Sequence, residues 1–180
     1  LLDGGSHQLT NDAPFMFGTT SGTTSKPKLV PVTHKWRKTI ASIQRIWIAR
    51  CSHDHPGMLK GKVLTMLSPA VEGESRCGLP VGSVSGQAGK RVPWVIRRQY
   101  ALPYEVCEIE DYETRYRLAV RLAMAESVST IVTPNPATMV RMAETGKEHA
   151  AQFIEAIRRG ELGVDVDHLD DAGKAICRDI

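Results

Sequence analysis

The sequence predicts an α/β fold: a mostly parallel sheet with flanking helices. Short apolar runs at residues 15–17, 29–32 and 129–133 have the length and composition of buried strands. Helical periodicity follows the second of these runs. Between residues 111 and 160 the order is helix, strand, helix, which is how parallel crossover units are built.

Taken in order, Phe15-Met16-Phe17 enters a loop rich in Ser and Thr, and Leu29-Val30-Pro31-Val32 leaves it. Both runs read as strands, and Pro31 places the second at a sheet edge because proline cannot donate to a ladder. Thr33 is a helix cap. Trp36, Ile40, Ile43 and Trp47 recur at helical spacing and predict an apolar stripe over 34–50, with Lys35, Lys38 and Arg45 off it on a solvated face. The run 61–68 predicts a buried strand. From 69 to 110 glycines interrupt every pattern, yet so long a structureless loop is rare in a compact domain. Short strands are expected there, with 91–98 (RVPWVIRR) the best candidate.

Asp111 caps a helix reaching about residue 126, with Tyr112, Tyr116, Ala119 and Ala123 on one face. Asn135-Pro136 is a cap and first-turn pair. Gly146 is expected to close that helix, and a further helix carrying Phe153, Ile154 and Ile157 is expected to end at Gly160.

Composition narrows the classes. Hydrophobic content of 42% supports a packed core, and a net charge of +3 with 6% aromatic residues argues against a nucleic-acid binder. No apolar run is long enough to span a bilayer. Four widely spaced cysteines, Cys51, Cys77, Cys107 and Cys177, form no paired pattern, so reduced thiols in a cytoplasmic protein are expected. The chain starts without Met and stops within helical sequence, and reads as a piece of a longer protein.

The chemistry gathers in residues 18–28. Gly18 and Gly22 let backbone N–H groups approach a ligand closely. Thr19, Thr20, Ser21, Thr23 and Thr24 add hydroxyl donors, and Lys26 and Lys28 add positive charge. Such a concavity holds phosphate without a helix terminus. Composition alone serves a phosphate loop and a plain flexible loop equally well. The order is not that of the nucleoside-triphosphatase loop, whose Lys directly follows Gly and enters a helix.

Thr20-Ser21-Gly22-Thr23-Thr24-Ser25-Lys26-Pro27-Lys28 resembles the signature T-S-G-T-T-G-x-P-K of adenylate-forming enzymes, a group that includes acyl-CoA synthetases and firefly luciferases. It departs only at Ser25, where that signature has Gly. The segments KLVPVT, LKGKVLTMLSPAVEGES, PYEVCEIEDYETRYRLAVRLAMA and FIEAIRRGELG narrow the resemblance to the auxin-responsive promoter family of acyl-acid amido synthetases, over most of 14–163.

The resemblance implies that 1–180 is part of a large N-terminal adenylation domain, with the phosphate loop at 18–28, an α/β region at 34–160 and a truncated tail at 161–180. It implies ATP and Mg²⁺ as cofactors, a carboxylic acid and an amine as partners, and no nucleic acid or membrane. ATP and acid would give an acyl-adenylate and pyrophosphate, and an amine, often of an amino acid, would then take the acyl group. By the resemblance Thr20, Ser21, Gly22, Thr23, Thr24 and Lys28 grip the polyphosphate, with Lys26 at the free position. The resemblance assigns no catalytic residue. It leaves the family's acidic Mg²⁺ ligand, ribose-binding Asp and C-terminal domain without a match here, so the chain by itself is expected to have little or no activity. A thioester-forming coenzyme A ligase and a non-catalytic nucleotide-binding module are the alternatives.

Weaker signals are read blandly. The cluster 51–55 (CSHDH) matches no standard zinc spacing and reads as a polar turn. Glu72, Glu74, Ser75 and Arg76 read as a solvated loop that the resemblance puts near an acyl pocket. Cys77 reads as a small buried residue.

Overall fold

The computed structural model describes residues 11–20 and 28–180. Its elements run β1 (Pro14–Thr20), β2 (Lys28–Thr33), α1 (His34–Asp54), β3 (Lys62–Thr65), β4 (Gly73–Glu74), β5 (Pro80–Gly82), α2 (Val84–Lys90), α3 (Trp94–Arg97), α4 (Tyr112–Met124), β6 (Val128–Val132), α5 (Pro136–Arg159) and α6 (Asp171–Arg178). The class is α/β with flanking helices. Two compact units divide the chain. One gathers the described residues up to His55 together with Ser68–Arg91, and the other gathers Pro56–Leu67 and Val92–Ile180.

The first unit is a mixed sheet in the order β2-β1-β5-β4. Its longest ladder, β1 with β2, is antiparallel, β1 with β5 is parallel, and β4 with β5 is antiparallel. Parallel pairing is therefore one component of this sheet. Pro31 sits on the edge strand β2, as its missing N–H requires. Met16, Phe17 and Val32 are buried, as is Ala70 in the segment leading to β4. That segment lies on bare backbone. A Cβ on Gly82 would fall 2.4 Å from the Ala70 carbonyl oxygen, and one on Gly86 would fall 2.2 Å from that of Ser68. Ser83 caps α2 by accepting the Gly86 N–H at 3.1 Å.

Thr33 caps α1, accepting the Trp36 N–H at 3.2 Å. The helix runs to Asp54, one turn beyond expectation, and none of its residues is buried. The predicted stripe exists, but Trp36, Ile43 and Trp47 are all exposed. Among the described residues of their own unit, none covers them.

In the second unit β3 and β6 pair in parallel. The core over them joins Leu64, Met66, Leu102, Val106, Ile109, Leu118 and Phe153. Asp111 caps α4, accepting the Thr114 N–H at 2.7 Å. Hydrogen bonds from Thr114, with a smaller contribution from His168, hold the Asp111 carboxyl below the usual carboxylate range. Asn135 caps α5, accepting the Ala137 N–H at 3.0 Å, and Pro136 occupies the first turn.

Two expectations are corrected here. Gly146 does not close a helix, because α5 is one helix from Pro136 to Arg159. A Cβ at Gly146 would come 3.4 Å from the Val120 side chain, so the small residue serves the approach of α4 to α5. The segment 91–98 is not a strand. Trp94–Arg97 is a short helix whose Trp94, Val95 and Ile96 are consecutively exposed, with none of the alternation a strand needs. The place beside β3 goes instead to the next stretch, where the Ala101 N–H donates to the Val63 carbonyl at 2.9 Å and Tyr100 bridges Val63.

The end of α5 explains a buried charge. Gly160 adopts the left-handed conformation (φ 68°), which folds the chain back so that the Glu161 N–H reaches the Ala156 carbonyl at 2.9 Å. The Arg121 guanidinium, buried on α4, donates to the Glu161 carbonyl. A cation at the negative end of a 24-residue helix is favoured by the helix dipole. The tail beyond residue 160 joins the core through Val164 and Leu169, and Asp170 caps α6.

Candidate functional site

The candidate site is the connection between β1 and β2. Its core residues Ser21, Gly22, Thr23, Thr24, Ser25, Lys26 and Pro27 lie outside the described residues. The structure places the two ends of the loop. The ladder pairs Gly18 with Val30, Thr19 with Leu29 and Thr20 with Lys28. Directly opposed residues of an antiparallel pair project to the same face. Thr20 and Lys28, eight positions apart in sequence, therefore stand side by side at the mouth of the loop, with the Thr20 hydroxyl 3.5 Å from the Lys28 carbonyl oxygen. Both are exposed.

The stem is fixed from the other side by β5 and α2. A Cβ on Gly18 would fall 2.8 Å from a methyl of Val84, so glycine lets the first residue of α2 pack against the strand. Gly18 pairs with Gly82 in the parallel ladder, which puts the end of β5 beside the start of the loop. Thr19 donates its hydroxyl to the Glu72 carboxylate at 3.2 Å. The Glu72 backbone is itself held, its N–H donating to the Val81 carbonyl at 2.8 Å. Thr19 and Glu72 are 53 positions apart, and nothing in the sequence pairs them.

The other flagged groups have structural employment. Ser75 builds the turn between β4 and β5: its hydroxyl donates to the Leu79 carbonyl at 2.9 Å, accepts the Leu79 N–H at 3.0 Å and lies 3.3 Å from the Cys77 sulfur. The cluster 51–55 is the last turn of α1. There the Asp54 carboxylate takes Arg50 at 2.8 Å and the His53 ring at 3.1 Å. All four cysteines are free, and burial pushes the Cys107 thiol up. Among the described residues no group of three His, Cys, Asp or Glu has metal-binding geometry, and no helix is long and apolar enough to cross a membrane.

The family model described as GH3 family N-terminal domain matches residues 1–177. Two solved structures are similar to the chain. A "GH3.15 acyl acid amido synthetase" is 19% identical with a TM-score of 0.73. An "AtGH3.15 acyl acid amido synthetase in complex with 2,4-DB" is 16% identical with a TM-score of 0.71. In each case the match covers 92% of this chain but only 29% of the longer one. At these identities the likeness is one of fold. No curated protein sequence matches the chain.

Proposed function

The chain belongs to the GH3 family, and from that membership we propose that it supplies the phosphate-gripping part of an ATP-dependent acyl-acid amido synthetase. The observation that carries the reading is the loop mouth, where strand pairing sets the Thr20 hydroxyl and the Lys28 ammonium at the two ends of a Gly/Ser/Thr connection. An ammonium on a pre-positioned strand is a point charge suited to a β- or γ-phosphate, and the loop's N–H and hydroxyl groups supply the remaining donors.

In this reading Ser21, Gly22, Thr23 and Thr24 wrap the polyphosphate while Thr20 and Lys28 hold its flanks. Charge neutralisation makes pyrophosphate a better leaving group as a substrate carboxylate attacks the α-phosphorus. The resulting acyl-adenylate is then open to the amine of an amino acid, which forms an amide and releases AMP. Positioning and electrostatics supply most of the catalysis in such a step. Of the described residues, Thr20 and Lys28 would offer the anion a hydroxyl and an ammonium donor. Mg²⁺ would enter bound to ATP, with waters and phosphate oxygens among its ligands. The chain spans 29% of the synthetases it resembles, so full activity is proposed for the protein that carries this domain in the cytoplasm.

Isotope exchange between pyrophosphate and ATP, run with a panel of carboxylic acids, tests the reading. Exchange is expected with at least one acid, falling about 100-fold or more when Ser21, Thr23 and Lys28 are all replaced by alanine. Undiminished exchange in that variant overturns the assignment of the loop. ATP binding without exchange on any acid marks a binding module. Product analysis with amino acids and with coenzyme A separates amide from thioester formation.

A further inference from the structure

The loop uses one end of β1. At the other end a single aromatic ring collects three basic groups. His34, the first residue of α1, stacks on Phe15 with ring centroids 4.6 Å apart and planes 17° from parallel. Arg37, one turn along the same helix, brings its guanidinium carbon to 5.5 Å from the Phe15 centroid. Arg91, the residue after α2, brings its own to 5.2 Å. Groups from α1 and from the end of α2 thus converge on a ring carried by β1, all within one unit. Among the described residues neither guanidinium has an ion-pair or hydrogen-bond partner. The first turn of α1 contains no acidic residue that could offset them.

This arrangement has a cost and a use. A cation over a solvent-accessible aromatic face gains little, and two such cations on one ring repel each other. The ring engages each guanidinium without spending an N–H, so both donor forks stay available. Phe15 is half-buried at the start of a paired strand, which gives these long side chains a fixed platform and lowers the entropy lost on capturing a ligand.

We propose that Phe15, His34, Arg37 and Arg91 form a binding site for a phosphate group, distinct from the loop at residues 18–28. Guanidinium forks match the paired oxygens of phosphate, and the imidazole N–H supplies a further donor from another direction. A carboxylate, with two oxygens in one plane, satisfies fewer of these groups. A free ion and a larger phosphate-bearing molecule share this chemistry, and titration distinguishes the two.

The test is a titration of the chain, at constant ionic strength in chloride, with inorganic phosphate, pyrophosphate and acetate. It is read from the His34 ring resonances, assigned by His34→Gln. Phosphate is expected to move them saturably and acetate not to. The double variant Arg37→Gln/Arg91→Gln should weaken binding about tenfold or more. The triple alanine variant of the loop should leave this site unchanged, which keeps its fate separate from that of the synthetase reading. Tighter binding of pyrophosphate than of phosphate assigns the site to a larger phosphate-bearing molecule, and the reverse assigns it to the free ion. A non-saturating drift with all three anions, or an unaltered Kd in the double variant, overturns the proposal. If the double variant fails to fold, Arg37→Lys/Arg91→Lys replaces it, and a Kd equal to that of the parent chain then overturns the site.

Discussion

The two longest helices spend their apolar faces in opposite ways. α5, with 24 residues, buries Met142, Thr145, Phe153 and Ala156. α1, with 21 residues, buries none, although it carries two tryptophans and several isoleucines. Both begin with a side-chain cap, so local signals do not separate them. The difference is tertiary. α5 has α4 and the tail as neighbours within its own unit, whereas the stripe of α1 meets no such surface among the described residues. An amphipathic pattern therefore specifies a helix without specifying its partner. Stability in this chain should be concentrated in the second unit.

That contrast can be broken by substitution, and the largest effect is expected at Phe153, which is fully buried. Phe153→Ala should cost about 3–5 kcal/mol, because the aromatic contacts are lost and a cavity remains. Urea titration followed through Trp94, which lies in the second unit, measures it. A cost below about 1 kcal/mol would mean that the core does not depend on α5. Next is Arg121→Ala. It removes the cation at the end of α5 and leaves the Glu161 carbonyl without its donor, an expected loss of about 2 kcal/mol in the same titration.

Asp111→Ala should cost about 1 kcal/mol through loss of the α4 cap. Its pH dependence has a definite sign. The folded carboxyl titrates below its unfolded value of about 3.9. Its contribution is therefore complete above that pH and disappears as pH falls below it, toward and through the lower folded value. Urea midpoints measured between pH 6 and pH 2.5 should converge for Asp111→Ala and the parent chain at the acid end. A gap that persists there would show that the cap works without its charge.

The smallest effect sharpens the comparison. Ile46 on α1 is 71% exposed, so Ile46→Lys should shift stability by no more than about 0.5 kcal/mol. A loss of 2 kcal/mol would reveal a partner for α1 in solution, and Trp36 and Trp47 fluorescence would report it.

Elements announced by local chemistry were legible in the sequence. Thr33, Asp111 and Asn135 cap the helices they were expected to cap, because a cap is decided within three residues. Gly146 misled because glycine signals a helix end only by its conformational freedom, while here its small size serves the packing of α4 on α5. The segment 91–98 misled because β-branched residues mark strands only where a ladder partner is free, and Tyr100 takes the place beside Val63. For the loop, the ladder added that Thr20 opposes Lys28, while Ser21, Gly22, Thr23 and Thr24 lie outside the described residues. The bond from Thr19 to Glu72 and the gathering at Phe15 join residues far apart in sequence, so neither could be read from local pattern.

The opposition of Thr20 and Lys28 makes β2 a ruler. Side chains alternate between faces along a strand, so loss of one residue between Lys28 and Thr33 that kept the outer pairs aligned would turn the ammonium over to the far side. Every side chain would still be present, yet the cation would leave the face it shares with Thr20. For this strand, length sets the face that Lys28 presents more tightly than the identity of any residue between its ends.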